Sequence, residues 1–168
     1  MNWNTGTFKG FQAGFVNRTG SNLGGVQWGF VNVVSGDVAG WQDGFVNLNT
    51  GNVIGYQDGF VNRIGGNVTG VLTGFVNIVS GDVTGWQDGF LNLNKGNFKG
   101  LQSGFVNLIG GTISGVQLGF VNAAGSGGQG LQFGFVNTTL EKLKGFQFGF
   151  INYADSIESG VPIGFIVD

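Results

Sequence analysis

A fifteen-residue frame governs this chain. From Gly10 the pattern G-[apolar]-Q-x-G-F-[V/L/I]-N-x-x-x-G-x-[apolar]-x returns in step, with units opening at Gly25, Gly40, Gly55, Gly70, Gly85 and Gly100. Phe recurs at Phe15, Phe30, Phe45 and so on to Phe165. Asn follows two residues later from Asn17 to Asn152 and gives way to Val167, and Gln precedes each Phe by three except at Leu72 and Pro162. A module that cannot cover its own apolar face has to stack on its neighbours, so a repeat architecture is expected. A longer echo, in which residues 33–37 match 78–82 and 41–43 match 86–88, reads as a three-unit duplication.

Helices are excluded by the same frame. Glycine returns at least twice per unit and costs about 1 kcal/mol each in a helix interior, and no apolar stripe of period 3.6 exists. Val, Ile, Phe, Trp, Tyr and Thr fill the remaining positions and suit pleated surfaces. The class is all-β, with short strands between glycine turns. Phe, Gln and Asn are expected to form the interior. Phe supplies buried area, and identical amides satisfy one another in ladders at the ~4.8 Å strand spacing.

Two geometries satisfy the frame, an open β-solenoid and a closed shallow barrel of eleven hairpin units. Local turn chemistry leans to the solenoid, since Trp28, Leu118 and Phe133 are poor first residues for tight x-Gly hairpin turns. Two other features lean to closure. Residues 1–9 and 160–168 are half-units that together complete one repeat, giving a single domain over 1–168. The residue before each Gly-Phe pair is apolar at Ala13 and Trp28, polar at Asp43, Asp58, Thr73, Asp88 and Ser103, then apolar at Leu118, Phe133, Phe148 and Ile163. On a ring these apolar ends merge into one sector across the seam, so the closed barrel is the expectation.

The unit G-x-Q-x-G-F-V-N resembles the G-x-Q-x-G-[L/F]-x-N units of bacterial surface-repeat proteins over nearly the whole chain, with 160–165 as a degenerate final unit. In repeat style it is similar to β-flowers, shallow symmetric barrels of hairpin petals. The segment Gln42-Asp43-Gly44-Phe45-Val46-Asn47 also resembles the Q-x-G-x-x-N of curlin, whose longer units carry further Ser and Gln positions that this chain lacks. These resemblances imply structural or binding roles, no known catalysis, and a bacterial cell envelope or surface location.

Composition narrows the chemistry. Without Cys or His there is no thiolate, disulfide, His triad or His metal centre, and a net charge of −2 offers no footprint for nucleic acid. No apolar run reaches the ~18 residues of a membrane helix, no leader-like segment opens the chain, and strands this short imply only peripheral membrane contact. The recurring glycines are no phosphate loop, since no Lys-Ser/Thr and helix follow them.

Asp43, Asp58 and Asp88 invite a carboxylate-pair reading, but beside turn glycines they are expected to face water, and the dense Gly-Asp repeats of calcium β-rolls are absent. No catalysis, cofactor or metal is expected. The leading candidate surface is the apolar sector of Trp28, Leu118, Phe133, Phe148 and Ile163. It would bind a lipid or membrane surface, an apolar ligand or another copy, with Lys142 and Lys144 near lipid headgroups; alternatively these side chains plug the barrel. The second candidate is carbohydrate binding, with Trp41, Tyr56 and Trp86 stacking on sugar rings and Asp43, Asp58 and Asp88 accepting hydroxyl hydrogen bonds. Against it, Phe11, Val26 and Leu101 at the equivalent position suggest plain core. A purely structural repeat is the third.

Overall fold

The computed structural model describes Met1–Val167 and shows an open, parallel β-solenoid of about ten turns. Each turn has two arms. The first is typified by Val38–Asp43 and the second by Val46–Asn49, joined at a Gly44-Phe45 corner. A second corner at Thr50, Gly51 and Asn52 leads into the next turn. In Val53–Ile64, Val68–Val79, Val83–Asn94 and Phe98–Ile109 the strand runs through the Gly-Phe corner. Each residue pairs in parallel with its equivalent one unit on, as in Val53↔Val68, Gln57↔Leu72 and Asn62↔Asn77.

This overturns the closed barrel. Hairpin petals need antiparallel pairing and left-handed residues at the turns, but among the described residues every strand pairing is parallel. Apart from Gly127 at one second corner, the glycines with positive φ lie inside the first arm, as Gly40 (φ 148°) and Gly85 (φ 137°), and none lies at a Gly-Phe corner. Asn2–Asn4 pairs with Val16–Thr19, and Phe8–Ala13 with Leu23–Trp28, one turn ahead and not across a seam. The first-arm glycine is required by close approach as well. A Cβ on Gly85 would sit 1.9 Å from the Gly70 carbonyl oxygen.

Four columns of side chains point inward. In one turn they are Val53, Gln57, Asn62 and Ile64, all buried. Along the second arm's last column Thr19, Asn49, Asn94 and Thr139 interrupt Val34, Ile64, Val79 and Ile109. The interior is therefore half polar, and hydrogen-bonded ladders make that tolerable. In the Gln column Nε2 of Gln42 donates to Oε1 of Gln27 at 2.8 Å, and Gln102 to Gln87 at 2.9 Å. In the Asn column Nδ2 of Asn47 donates both to Asn62 Oδ1 at 2.9 Å and to the Asp58 carbonyl at 2.7 Å. Asn49 Nδ2 ties the two arms together, donating to Oε1 of Gln42 and of Gln57.

The Phe rings are not interior, contrary to expectation. Gln57 and Asn62 both face inward across an odd interval, which simple strand alternation forbids. The corner at Gly59-Phe60 supplies the break and turns Phe60 outward. The rings stack outside as a spine, with centroids 4.9–5.2 Å apart and planes within 11° of parallel. Phe45 to Phe150 remain 43–48% exposed.

The other corner holds a ladder that the repeat frame did not disclose. The Asp37 N–H donates to Asn22 Oδ1 at 2.9 Å, Asn52 N–H to Asp37 Oδ1 at 2.7 Å, and Asn67 N–H to Asn52 Oδ1 at 2.9 Å. Asp82, Asn97 and Thr112 continue it. In the last turn Pro162 replaces Gln. The backbone N–H groups of Val38 and Gly44, which flank Gln42 at even spacing, both donate to the following turn. The N–H that proline lacks would thus face away from the stack, the edge position where proline is tolerated.

Candidate functional site

With the interior closed by ladders, chemistry falls to the outer faces. The second arm turns out two columns beside the Phe spine. One runs Val31, Val46, Val61, Val76, Leu91, Val106 and Val121; the other runs Val33, Leu48, Arg63, Ile78, Leu93, Leu108 and Ala123. Both columns are half-buried or exposed. Ten turns at ~4.8 Å and three residue steps at ~3.3 Å give a strip of roughly 500 Å². That is at the upper end of the ~300–600 Å² patches that monomers expose. Among the described residues the strip has no carboxylate. Its charges are Arg18, set over the Trp3 ring at 5.1 Å, and Arg63. Sequence reasoning missed this face because it followed the residues before Gly-Phe rather than those after; two successive Val-type columns were the available signal.

The apolar sector divides. Leu118, Phe133, Phe148 and Ile163 fall in one column on the first arm's outer face, with Leu118↔Phe133 and Phe133↔Phe148 in register and the latter rings stacked at 4.8 Å. Trp28 lies in the same column six turns earlier, about 29 Å away at the usual strand spacing. With no seam and no barrel lumen, these residues neither merge nor plug anything. Lys144, on this face, pairs with Glu158 at 2.9 Å. The four-residue column directly precedes the Gly-Phe corner, two residues ahead of each spine Phe, so around it the C-terminal turns continue into the Phe spine.

The sugar-site residues do share one face. Trp41 pairs with Tyr56 in edge-to-face contact at 5.6 Å, and Trp86 follows two turns later beyond Val71. This column is not core, since Trp41 is 48% and Trp86 46% exposed. Asp43, Asp58, Thr73 and Asp88 form the adjacent column. Thr73 donates to Asp58 in a short hydrogen bond, and the Tyr56 hydroxyl lies 3.1 Å from Thr73 Oγ1. Partial burial, then the charge of Asp58 on the next rung, raises the Asp43 carboxyl above its ordinary value. The three aspartates are half-buried rather than fully in water. Among the described residues no three metal-ligating side chains converge, and no helix is long and apolar enough to cross a membrane, which leaves strands unaddressed.

Comparison with protein-family models, curated proteins and solved structures finds no match.

Proposed function

We propose that this chain is a non-enzymatic scaffold, a rigid β-solenoid that lies on a lipid surface through its Phe spine and the apolar outer face of the second arm. One observation carries the reading: among the described residues the strip runs the length of the rod without a carboxylate and carries only Arg18 and Arg63 as charges. Among the described residues the acidic side chains sit elsewhere, on the first arm at Asp43, Asp58 and Asp88, at the second corner at Asp37 and Asp82, and in the C-terminal turns at Glu141, Asp155 and Glu158. Apolar contact with arginines at its margin suits an anionic headgroup layer, and each cation near such a surface contributes about 1 kcal/mol. The column Leu118, Phe133, Phe148 and Ile163 enlarges the apolar edge toward the C-terminal turns. Another copy is the competing occupant of the same strip.

Co-sedimentation with anionic vesicles tests this. The protein should pellet with vesicles, and the outward pair Val76→Glu and Leu93→Glu should abolish pelleting while leaving the circular dichroism spectrum intact. Absence of pelleting at low salt, or pelleting unchanged by the double substitution, refutes the reading. A dimer by light scattering that the same substitutions dissolve would assign the strip to a second copy instead. Carbohydrate binding remains a second reading because Trp41, Tyr56 and Trp86 line up beside Asp43, Asp58 and Asp88; a glycan array tests it, with Trp86→Ala expected to remove any signal.

A further inference from the structure

On the first arm's outer face, away from the proposed lipid-facing strip, the N-terminal turns hold an open aromatic slot. Its floor is Val26. Phe11 stands one rung before Val26 and Trp41 one rung after it, in the same column, and Trp28 rises beside it two residues along the strand. Together with Asp43 these residues line a depression of about 280 Å³. The rings are unusually bare: Phe11 is 62%, Trp28 61% and Trp41 48% exposed. No ring–ring contact joins these three to one another, so the space between them stays open, while Tyr56 backs Trp41 from the next turn. Among the described residues the one cation–π contact is Arg18 with Trp3, on the other arm, so no cation of the chain itself occupies the slot.

The dimensions and chemistry converge on one ligand class. Phe11 and Trp41 are two rungs apart, about 9.6 Å at the usual strand spacing, with a small Val between them. A group centred over Val26 therefore lies about 5 Å from each ring, inside the ~6 Å reach of cation–π attraction. A third ring, Trp28, closes one side, and Asp43, paired in register with Trp28, brings a carboxylate to the rim. Three aromatic walls and one carboxylate attract a bulky, weakly hydrated cation. An ammonium with free N–H groups would leave its donors facing an apolar floor, whereas a methylated one has none to satisfy. On the side opposite Trp28 the Lys9 stem passes over Gly24, its Cγ 3.5 Å from where a Gly24 Cβ would sit.

We propose that Phe11, Trp28, Trp41 and Asp43 form a binding slot for a trimethylammonium group, as carried by free choline or by a phosphatidylcholine headgroup.

Tryptophan fluorescence of the full chain reads this directly. Titrations use choline, its neutral isostere 3,3-dimethylbutan-1-ol, and vesicles of phosphatidylcholine against vesicles of phosphatidylglycerol. The expected result is saturable quenching by choline or by phosphatidylcholine vesicles, with the neutral isostere at least about tenfold weaker. A response to free choline assigns a soluble source, and a response to phosphatidylcholine vesicles alone assigns the lipid headgroup. Trp28→Ala and Asp43→Asn should each weaken binding about tenfold, whereas Trp86→Phe, outside the slot, should not. These are surface positions, and an unchanged thermal melt confirms that the variants fold. Equal binding of the neutral isostere, no response to either trimethylammonium source, or full binding by Trp28→Ala overturns the proposal. Binding of phosphatidylglycerol vesicles alone supports the strip on the opposite face and overturns the slot, so the two readings fail separately.

Discussion

Replacing Asn77 by Asp puts the amide ladder to its most exacting test, because the change is isosteric and alters only hydrogen-bond polarity and charge. Asn77 is wholly buried. Its Oδ1 accepts from Asn62 Nδ2 at 2.8 Å, and its own Nδ2 donates to the Asp88 carbonyl at 2.8 Å and to Asn92 Oδ1 at 2.9 Å. In Asn77→Asp one carboxyl oxygen keeps the bond from Asn62. The other faces two acceptors, which an ionised carboxylate cannot satisfy and a neutral carboxyl satisfies once. Burial and these acceptors both raise the folded-state pKa, by about 3 units or more for a wholly buried acid. At 1.36 kcal/mol per unit this costs about 4 kcal/mol at neutral pH. The sign follows from the raised value: the variant is most stable below the unfolded pKa of about 3.9. It then loses stability as pH rises until the folded pKa is passed. Near pH 3 the residual cost is one hydrogen bond, about 1 kcal/mol. Urea unfolding followed by circular dichroism at pH 3.5, 5 and 7, each against the parent chain, measures it. A difference from the parent that is independent of pH, or parent-like stability at pH 7, would refute the buried ladder.

Two further substitutions probe the stack. Gly85→Ala places a Cβ 1.9 Å from the Gly70 oxygen at φ 137° and should cost more than about 4 kcal/mol, whereas in Gly24→Ala the nearest atom is the Lys9 stem at 3.5 Å and thermal melting should barely move; equal effects would contradict the register. Leu72 interrupts the Gln column and is wholly buried, and Gln87 Nε2, which elsewhere in the column would donate to the Oε1 of a Gln one turn earlier, has no partner. Leu72→Gln supplies that acceptor, and the about 1–3 kcal/mol recovered from an orphaned donor offsets the about 1.5–3 kcal/mol of lost Leu burial. Melting should therefore stay near the parent's, while Leu72→Glu, of equal size but charged, should unfold the chain at pH 7; matching losses in the two variants would show that no ladder awaits the amide.

Much of this architecture can be read from residues alone, and the limits are physical. Glycine spacing and β-rich filler exclude helices, and Gln and Asn returning in one register foretell stacked amides, because a buried amide repeated without change has only its own copies to bond. The direction of pairing is different. Residues fifteen apart are neighbours in a ring of hairpins and in a stack of coils alike, so periodicity cannot choose between them. The backbone chooses, through left-handed glycines such as Gly40 and Gly85 that lie within an arm and leave the corner able to carry Phe outward. The interior position of Phe failed for that reason: hydrophobicity argues for burial, but the odd interval from Gln57 to Asn62 spends its break in alternation at Phe60. What the sequence determined by itself is the repeat length, the strand class and the amides that register every turn on the last. Folding in three dimensions added that the stack stays open, that its aromatic spine and Val-type columns face outward, and that Phe11, Val26, Trp28 and Trp41 meet, since proximity across turns depends on which way each arm faces.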